Sequence, residues 1–146
     1  MYKKIYIGFK GKNNASCVLA STISKNYYLL TNSFKGLKKD IERLDDFYDL
    51  VIMFGIDKNL KNIVRLEQVA KNKITLHSNI DLNKISKNLI ANGIDNFITD
   101  EPTHYLCNEA YYLALQKFNG KAVFIHIPSL KNMNNEMMEK LILSLR

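Results

Sequence analysis

The sequence predicts an α/β fold: a three-layer α/β/α sandwich around a mostly parallel central sheet. Apolar runs of strand length alternate with segments of helical period, and the links between them are short. No repeat, low-complexity tract or long linker interrupts this alternation. With 146 residues, 47% of them hydrophobic, the chain can bury the core of one domain, and we assign residues 1–146 to it.

Strands are predicted where apolar, aromatic and β-branched residues cluster. Runs this apolar are typical of strands that are buried on both faces of a parallel sheet. The predicted strands are KKIYIGF (3–9), NYYLLT (26–31), YDLVIMFG (48–55), a short strand near 94–99, and KAVFIHI (121–127).

Helices are predicted between these strands, where apolar residues recur three and four positions apart. The predicted helices are 14–24, 34–44, 82–93, 106–118 and 135–146. Short polar side chains stand where helices should begin, and glycines stand where two of them should end. The candidate N-terminal caps are Asn14, Ser16, Asp81 and Asn134 or Asn135, and the C-terminal ones are Gly93 and Gly120.

The net charge of +7 does not favour a nucleic acid partner. Lysines are spread over nearly every segment, arginine occurs only at Arg43, Arg65 and Arg146, and no basic run carries interleaved aromatic residues. A scattered excess of charge is typical of a solvated surface. No stretch has the roughly 18 apolar residues of a membrane span, and the N-terminus lacks a signal-peptide pattern, so we expect a cytoplasmic protein without a membrane partner.

The two cysteines, Cys17 and Cys107, are expected to be free thiols, since the expected compartment is reducing and their spacing is not that of a disulfide. His77 and His104 have no companions at metal-ligand spacing. We therefore expect neither a metal nor another cofactor.

Cys107 and His126 are the candidate reactive pair. Cys107 lies at the start of a predicted helix, where the helix dipole can lower a thiol pKa from about 8.5 toward 7. His126 ends the next predicted strand, and a right-handed crossover would return that strand beside the one that leads into the helix. The spacing permits contact, but two ordinary core residues would fit the same pattern.

The sequence segments around this pair resemble those of the pyroglutamyl peptidase I (pyrrolidone carboxyl peptidase) family. ITDEPTHYLCNEAYYLAL and KAVFIHIP are similar to its nucleophile helix and histidine strand. IYIGFKGKNNAS resembles its first strand and loop, YDLVIMFG its central strand, and LEQVAKN the segment that bears its glutamate. The resemblance touches the whole chain and implies a cysteine peptidase that removes N-terminal pyroglutamate.

The resemblance also implies roles for individual residues. Cys107 would be the nucleophile, His126 the general acid and base, and Glu67 the residue that orients the imidazole, with Glu101 as the replacement if Glu67 is misaligned. The substrate, a peptide or small acyl amide, would contact Phe9, Asn14 and Gly55. The family's oxyanion arginine has no single match, because Lys58, Lys61 and Arg65 all follow the central strand.

Several departures from the family pattern concern the substrate site. The first loop is short, with KGK in place of the second aromatic residue and paired glycines, and Pro102, Thr103 and His104 replace Ala-Gly-Thr before the nucleophile. The chain also lacks segments between Lys73 and Asp81 and after Pro128, so it resembles a shortened, divergent member. A member that binds a ligand or a protein without turnover is the alternative, and a homo-oligomer stays open.

Overall fold

The structure is a computed structural model that describes residues 1–146. It has eight strands and five helices. The strands are β1 (Lys4–Phe9), β2 (Tyr27–Leu30), β3 (Leu50–Ile56), β4 (Ile63–Glu67), β5 (Val69–Lys71), β6 (Thr75–His77), β7 (Asp95–Thr99) and β8 (Ala122–Ile127). The helices are α1 (Ala15–Ile23), α2 (Phe34–Arg43), α3 (Leu82–Ala91), α4 (Tyr105–Lys117) and α5 (Asn135–Leu145).

Six of the strands form the central sheet, in the order β2-β1-β3-β8-β4-β7. The four strands β2, β1, β3 and β8 are parallel, and β4 pairs with β8 antiparallel while it pairs with β7 parallel. Strands β5 and β6 form a separate antiparallel hairpin. The prediction of an α/β fold with a mostly parallel central sheet is therefore confirmed.

Helices cover both faces of the sheet, because neighbouring side chains on a strand point to opposite faces. On one face, α1, α3 and α5 pack against residues such as Phe54, Val123 and Ile125. On the other face, α2 and α4 pack against Met53 and Phe124. This second face carries the candidate site.

Most of the predicted helix ends are confirmed. Asn14 caps α1 by accepting from the N–H groups of Ser16 and Cys17, and Asp81 and Asn134 cap α3 and α5 in the same way. Gly93 and Gly120 follow α3 and α4 with φ angles of 80° and 81°, which is the left-handed region where glycine has no steric penalty. Ser33, the cap of α2, was not among the predicted caps.

Two expectations from the sequence are wrong. The sequence left the stretch 56–81 without strands, whereas β4, β5 and β6 lie there. The segment IVRLE carries an arginine and a glutamate at alternate positions, a pattern typical of a strand with one solvated face. Both side chains nevertheless lie on the face of β4 that α4 covers. The crossover prediction also fails, because β4 lies between β7, which leads into α4, and β8.

No helix combines the length and the apolar character that a membrane crossing requires.

Candidate active site

Three neighbouring strands bring one row of residues to the face of the sheet that α4 covers. In the pairing register, Gly55 of β3 lies beside His126 of β8, and His126 lies opposite Arg65 of β4. Val123, Ile125 and Ile127 point into the core beneath α1, α3 and α5, so His126 must point to the α4 side. The same alternation places Arg65 and Glu67 there, since Val64 and Leu66 face away.

His126 and Glu67 form a buried hydrogen bond. His126 Nδ1 lies 3.2 Å from Glu67 Oε1, and the two residues are 3% and 1% exposed. This contact is the only hydrogen bond of the ring, so Nε2 is the nitrogen that stays available. Glu67 rather than Glu101 therefore contacts the imidazole, and Glu101 is exposed.

Arg65 joins Glu67 to a second acidic residue, Asp57. Its Nε donates to Glu67 Oε1 at 2.7 Å, and its Nη1 donates to Asp57 Oδ2 at 2.8 Å. Burial alone would raise the pKa of Asp57, but hydrogen bonds from Arg65 and from the Asn59 N–H hold that pKa below its usual value. Burial would likewise lower the pKa of Arg65, and the two carboxylates raise it instead.

Cys107 lies in the first turn of α4, directly over Gly55. A Cβ atom added at Gly55 would lie 2.9 Å from Cys107 Sγ, so only a glycine leaves room for the thiol at this position, which pairs with His126 in the sheet. The N–H of Cys107 makes no hydrogen bond, and the cap residue His104 offers none from its side chain. The chain enters the helix through Tyr105, which has a left-handed φ of 56°.

The thiol of Cys107 does not have the lowered pKa that its place on the helix predicted. Burial raises the pKa of Cys107 to about 12, with a further contribution from the negative charge of Glu67 that the positive charge of Arg65 opposes. Burial and the nearby carboxylates therefore favour the protonated thiol at pH 7.

Two side chains of α4 attach this helix to β4 and β5. The Tyr111 hydroxyl donates to the carbonyl oxygen of Glu67 at 2.7 Å, and Tyr111 is fully buried. Asn108 pairs with both backbone groups of Lys71, accepting from its N–H at 3.0 Å and donating to its carbonyl at 2.7 Å. These contacts fix the start of α4 relative to Glu67.

The first loop places Phe9 and Asn14 in structural roles. Phe9 is 5% exposed and belongs to the core beneath α2 and α4. Asn14 Oδ1 accepts from Ser16 and Cys17 as the cap of α1, and Ser16 Oγ in turn accepts from the Phe9 N–H at 3.0 Å. Four cavities on the surface are lined by other residues, and Cys107, His126, Phe9 and Asn14 contribute to none of these four.

The remaining candidates do not join this site. Cys17 lies on α1, on the other side of the sheet, and His104 packs edge-on against the ring of Tyr105. No three side chains of histidine, cysteine, aspartate or glutamate form a group suited to a metal ion. Asp57 and Asn108 are the residues that the sequence analysis missed. Asp57 directly follows the carboxyl end of β3, which is where sites form in such sheets, and this signal could have found it.

Comparison with solved structures identifies the fold. The structure matches pyrrolidone carboxyl peptidase from Thermococcus litoralis with a TM-score of 0.81 and 20% identity, covering 99% of this chain and 92% of that chain. The enzyme from Thermus thermophilus matches with a TM-score of 0.81 and 16% identity, covering 97% of both chains. The enzyme from Fervidobacterium islandicum AW-1 matches with 0.80 and 16%, covering 100% of this chain and 95% of that one.

Comparison of sequences adds nothing to this result, because no protein-family model and no curated relative matches the chain. The structural agreement extends over nearly the whole length of each partner, whereas the identity is low. The fold therefore agrees with the resemblance read from the sequence. The chain has the fold of the pyrrolidone carboxyl peptidases.

Proposed function

We propose that the chain is a cysteine peptidase or amidase that removes an N-terminal pyroglutamyl or similar acyl group from a peptide or small acyl amide. The observation that carries this proposal is the buried hydrogen bond between His126 and Glu67, together with the thiol of Cys107 against Gly55, which is the neighbour of His126 in the sheet. A nucleophile, a base and a residue that orients the base are the parts that acyl transfer requires. The structures with the same fold are named as pyrrolidone carboxyl peptidases, which supports the choice of substrate.

In the proposed reaction each of the three residues has its own step. Cys107 Sγ attacks the acyl carbon, and its proton passes to His126 Nε2 during the attack, because a thiol with a pKa of about 12 is not ionised beforehand. Glu67 accepts from Nδ1 and stabilises the imidazolium. His126 then returns the proton to the leaving amine, which leaves a thioester. Water, deprotonated by His126, hydrolyses the thioester and restores the thiol.

The free N–H of Cys107 is the donor for the negative oxygen. It lies at the start of α4 and makes no other hydrogen bond, and a backbone N–H at a helix N-terminus also carries the positive end of the helix dipole. Loss of one such donor costs about 10²- to 10³-fold in turnover in other enzymes.

Gly55, Phe9 and Asn14 are proposed to line the acyl site. Gly55 supports this most directly, because Cys107 Sγ lies against it. Phe9 would contribute the edge of a mostly buried ring, and Asn14 only its Nδ2, since its Oδ1 caps α1.

The test is hydrolysis of a pyroglutamyl fluorogenic amide, beside a panel of other N-terminal acyl amides. Release of fluorophore should require Cys107, so Cys107→Ser should abolish it, and Cys17→Ser should leave it unchanged. His126→Ala should lower turnover by several orders of magnitude. Binding of these amides without turnover, in protein that is shown to be folded, would overturn the proposal and favour a non-catalytic relative.

A further inference from the structure

The site contains an ion pair that the proposed catalytic steps do not use. Arg65 and Glu67 are two positions apart on β4, and both lie on the face that carries His126. Because β4 runs antiparallel to β8, Arg65 lies directly opposite His126 and Glu67 lies one diagonal step away. Arg65 and Glu67 can therefore both lie close to the imidazole of His126.

Glu67 Oε1 is shared between a cation and the imidazole. Arg65 Nε lies 2.7 Å from this oxygen, and His126 Nδ1 lies 3.2 Å from it. The other oxygen, Oε2, is buried without any hydrogen-bond partner. A buried carboxylate with so few donors is stable as an anion only if a charge pairs with it, and the guanidinium is the one cation in contact with it.

Asp57 holds the other side of the guanidinium. The contact between Arg65 Nη1 and Asp57 Oδ2 is 2.8 Å, and the two side chains are 20% and 23% exposed. One guanidinium and two carboxylates leave this cluster with a net charge of −1 beside Cys107 and His126. Arg65 therefore opposes, and Asp57 reinforces, the negative field at the thiol.

We propose that Arg65 is a positioning residue, anchored by Asp57, that fixes Glu67 for His126 and sets the charge balance around Cys107. The other titratable groups that face the site are His126 on β8 and Tyr111 on α4, whose hydroxyl donates to the Glu67 carbonyl. The consequence for catalysis depends on the proposed function, whereas the effect on the thiol does not.

Arg65 and Asp57 should shift the pKa of Cys107 in opposite directions. Removal of the positive charge in Arg65→Gln should disfavour the thiolate, and removal of the negative charge in Asp57→Asn should favour it. A nearby charge shifts a pKa by about one unit or more, which changes the thiolate fraction about tenfold per unit. The weaker nucleophilicity of a more acidic thiol offsets part of this, so we expect about a threefold change in alkylation rate per unit.

The experiment measures iodoacetamide alkylation of Cys107 by mass mapping between pH 7 and 9, in a Cys17→Ser background. Asp57→Asn should react faster than the parent and Arg65→Gln should react more slowly. Arg65→Lys keeps the charge and should fall between Arg65→Gln and the parent. Arg43→Gln, which removes an exposed cation of α2, is the matched control and should not change the rate.

Opposite changes in the alkylation rate of Arg65→Gln and Asp57→Asn would support the proposal, because a general loosening of the site would change both rates in the same direction. Changes of both alkylation rates in the same direction would overturn the proposal. If Arg65→Gln does not fold, Asp57→Asn alone must still accelerate the reaction, and a slower rate there overturns the proposal. Hydrolysis of acyl amides is measured separately: its absence with opposite shifts present would reject the proposed function and leave the role of Arg65 intact.

Discussion

Tyr111 and Tyr6 provide a matched pair of buried hydroxyl groups with which the link between α4 and Glu67 can be tested. Tyr111 donates to the Glu67 carbonyl at 2.7 Å, next to the candidate site. Tyr6 donates to the Leu145 carbonyl at 2.6 Å, at the end of α5. The two side chains are 0% and 2% exposed, so each Tyr→Phe change removes one oxygen from a closed environment.

The expected loss of stability is similar for both variants. Each removes the donor from a buried carbonyl group, which costs about 1–2 kcal/mol in the free energy of unfolding. For a chain of this size, 1 kcal/mol corresponds to about 2–4 °C in melting temperature. Thermal unfolding followed by circular dichroism should therefore show about the same decrease for Tyr111→Phe and Tyr6→Phe.

The expected effects on the site differ. Tyr111→Phe releases the backbone of Glu67 and so loosens the carboxylate against His126, whereas Tyr6→Phe affects only the junction of α5 with β1. Misplacement of a catalytic group by about 1 Å can cost about 100-fold, so we expect at least tenfold slower turnover for Tyr111→Phe alone. Hydrogen exchange should show faster opening in residues 63–71 for Tyr111→Phe and in α5 for Tyr6→Phe.

Two results would refute this reasoning. Equal loss of turnover in both variants would mean that general destabilisation, rather than the position of Glu67, controls the site. Unchanged exchange in residues 63–71 of Tyr111→Phe would mean that the hydroxyl does not hold β4. The exchange measurement stands even if the protein proves to have a different substrate.

Three further predictions concern other parts of the molecule. Gly55→Ala places a Cβ 2.7 Å from the Phe124 ring and 2.9 Å from Cys107 Sγ, so we expect about 1–3 kcal/mol lower stability in urea and a displaced thiol; full turnover would contradict this. Lys117→Met removes a cation whose Nζ donates to the last carbonyls of α2, and should cost about 1.5–3 kcal/mol, unlike a change at an exposed lysine. Burial would raise the pKa of Asp40, but hydrogen bonds, chiefly from the backbone N–H at position 31, lower it. The contribution of Asp40 to the free energy of unfolding is therefore present above the unfolded-state pKa of about 3.9, and it is lost as the pH falls through the folded-state pKa. The stability difference between the parent and Asp40→Asn should consequently shrink below about pH 4, and a constant difference down to pH 2 would contradict this.

The elements of the sheet that follow simple patterns were predictable from the sequence. Strands such as β3 and β8 are apolar at nearly every position, and α1, α3 and α5 begin at capping residues, so local chemistry alone places them. Strand β4 was missed because its charged positions face inward. The reason is that Arg65 and Glu67 neutralise each other there, which a pattern of residue types cannot reveal.

The sequence by itself determined the α/β class, most of the helix caps and, through its resemblance, the identities of Cys107, His126 and Glu67 as a candidate set. Only the tertiary structure decided that Glu67 rather than Glu101 contacts His126, that Arg65 and Asp57 join them, and that burial raises the pKa of Cys107. The physical reason is the separation along the chain over which each interaction acts. Capping and strand propensity act between neighbours in the chain, whereas burial and the pairing of charges depend on the register of β4 against β8, between residues that are 59 positions apart.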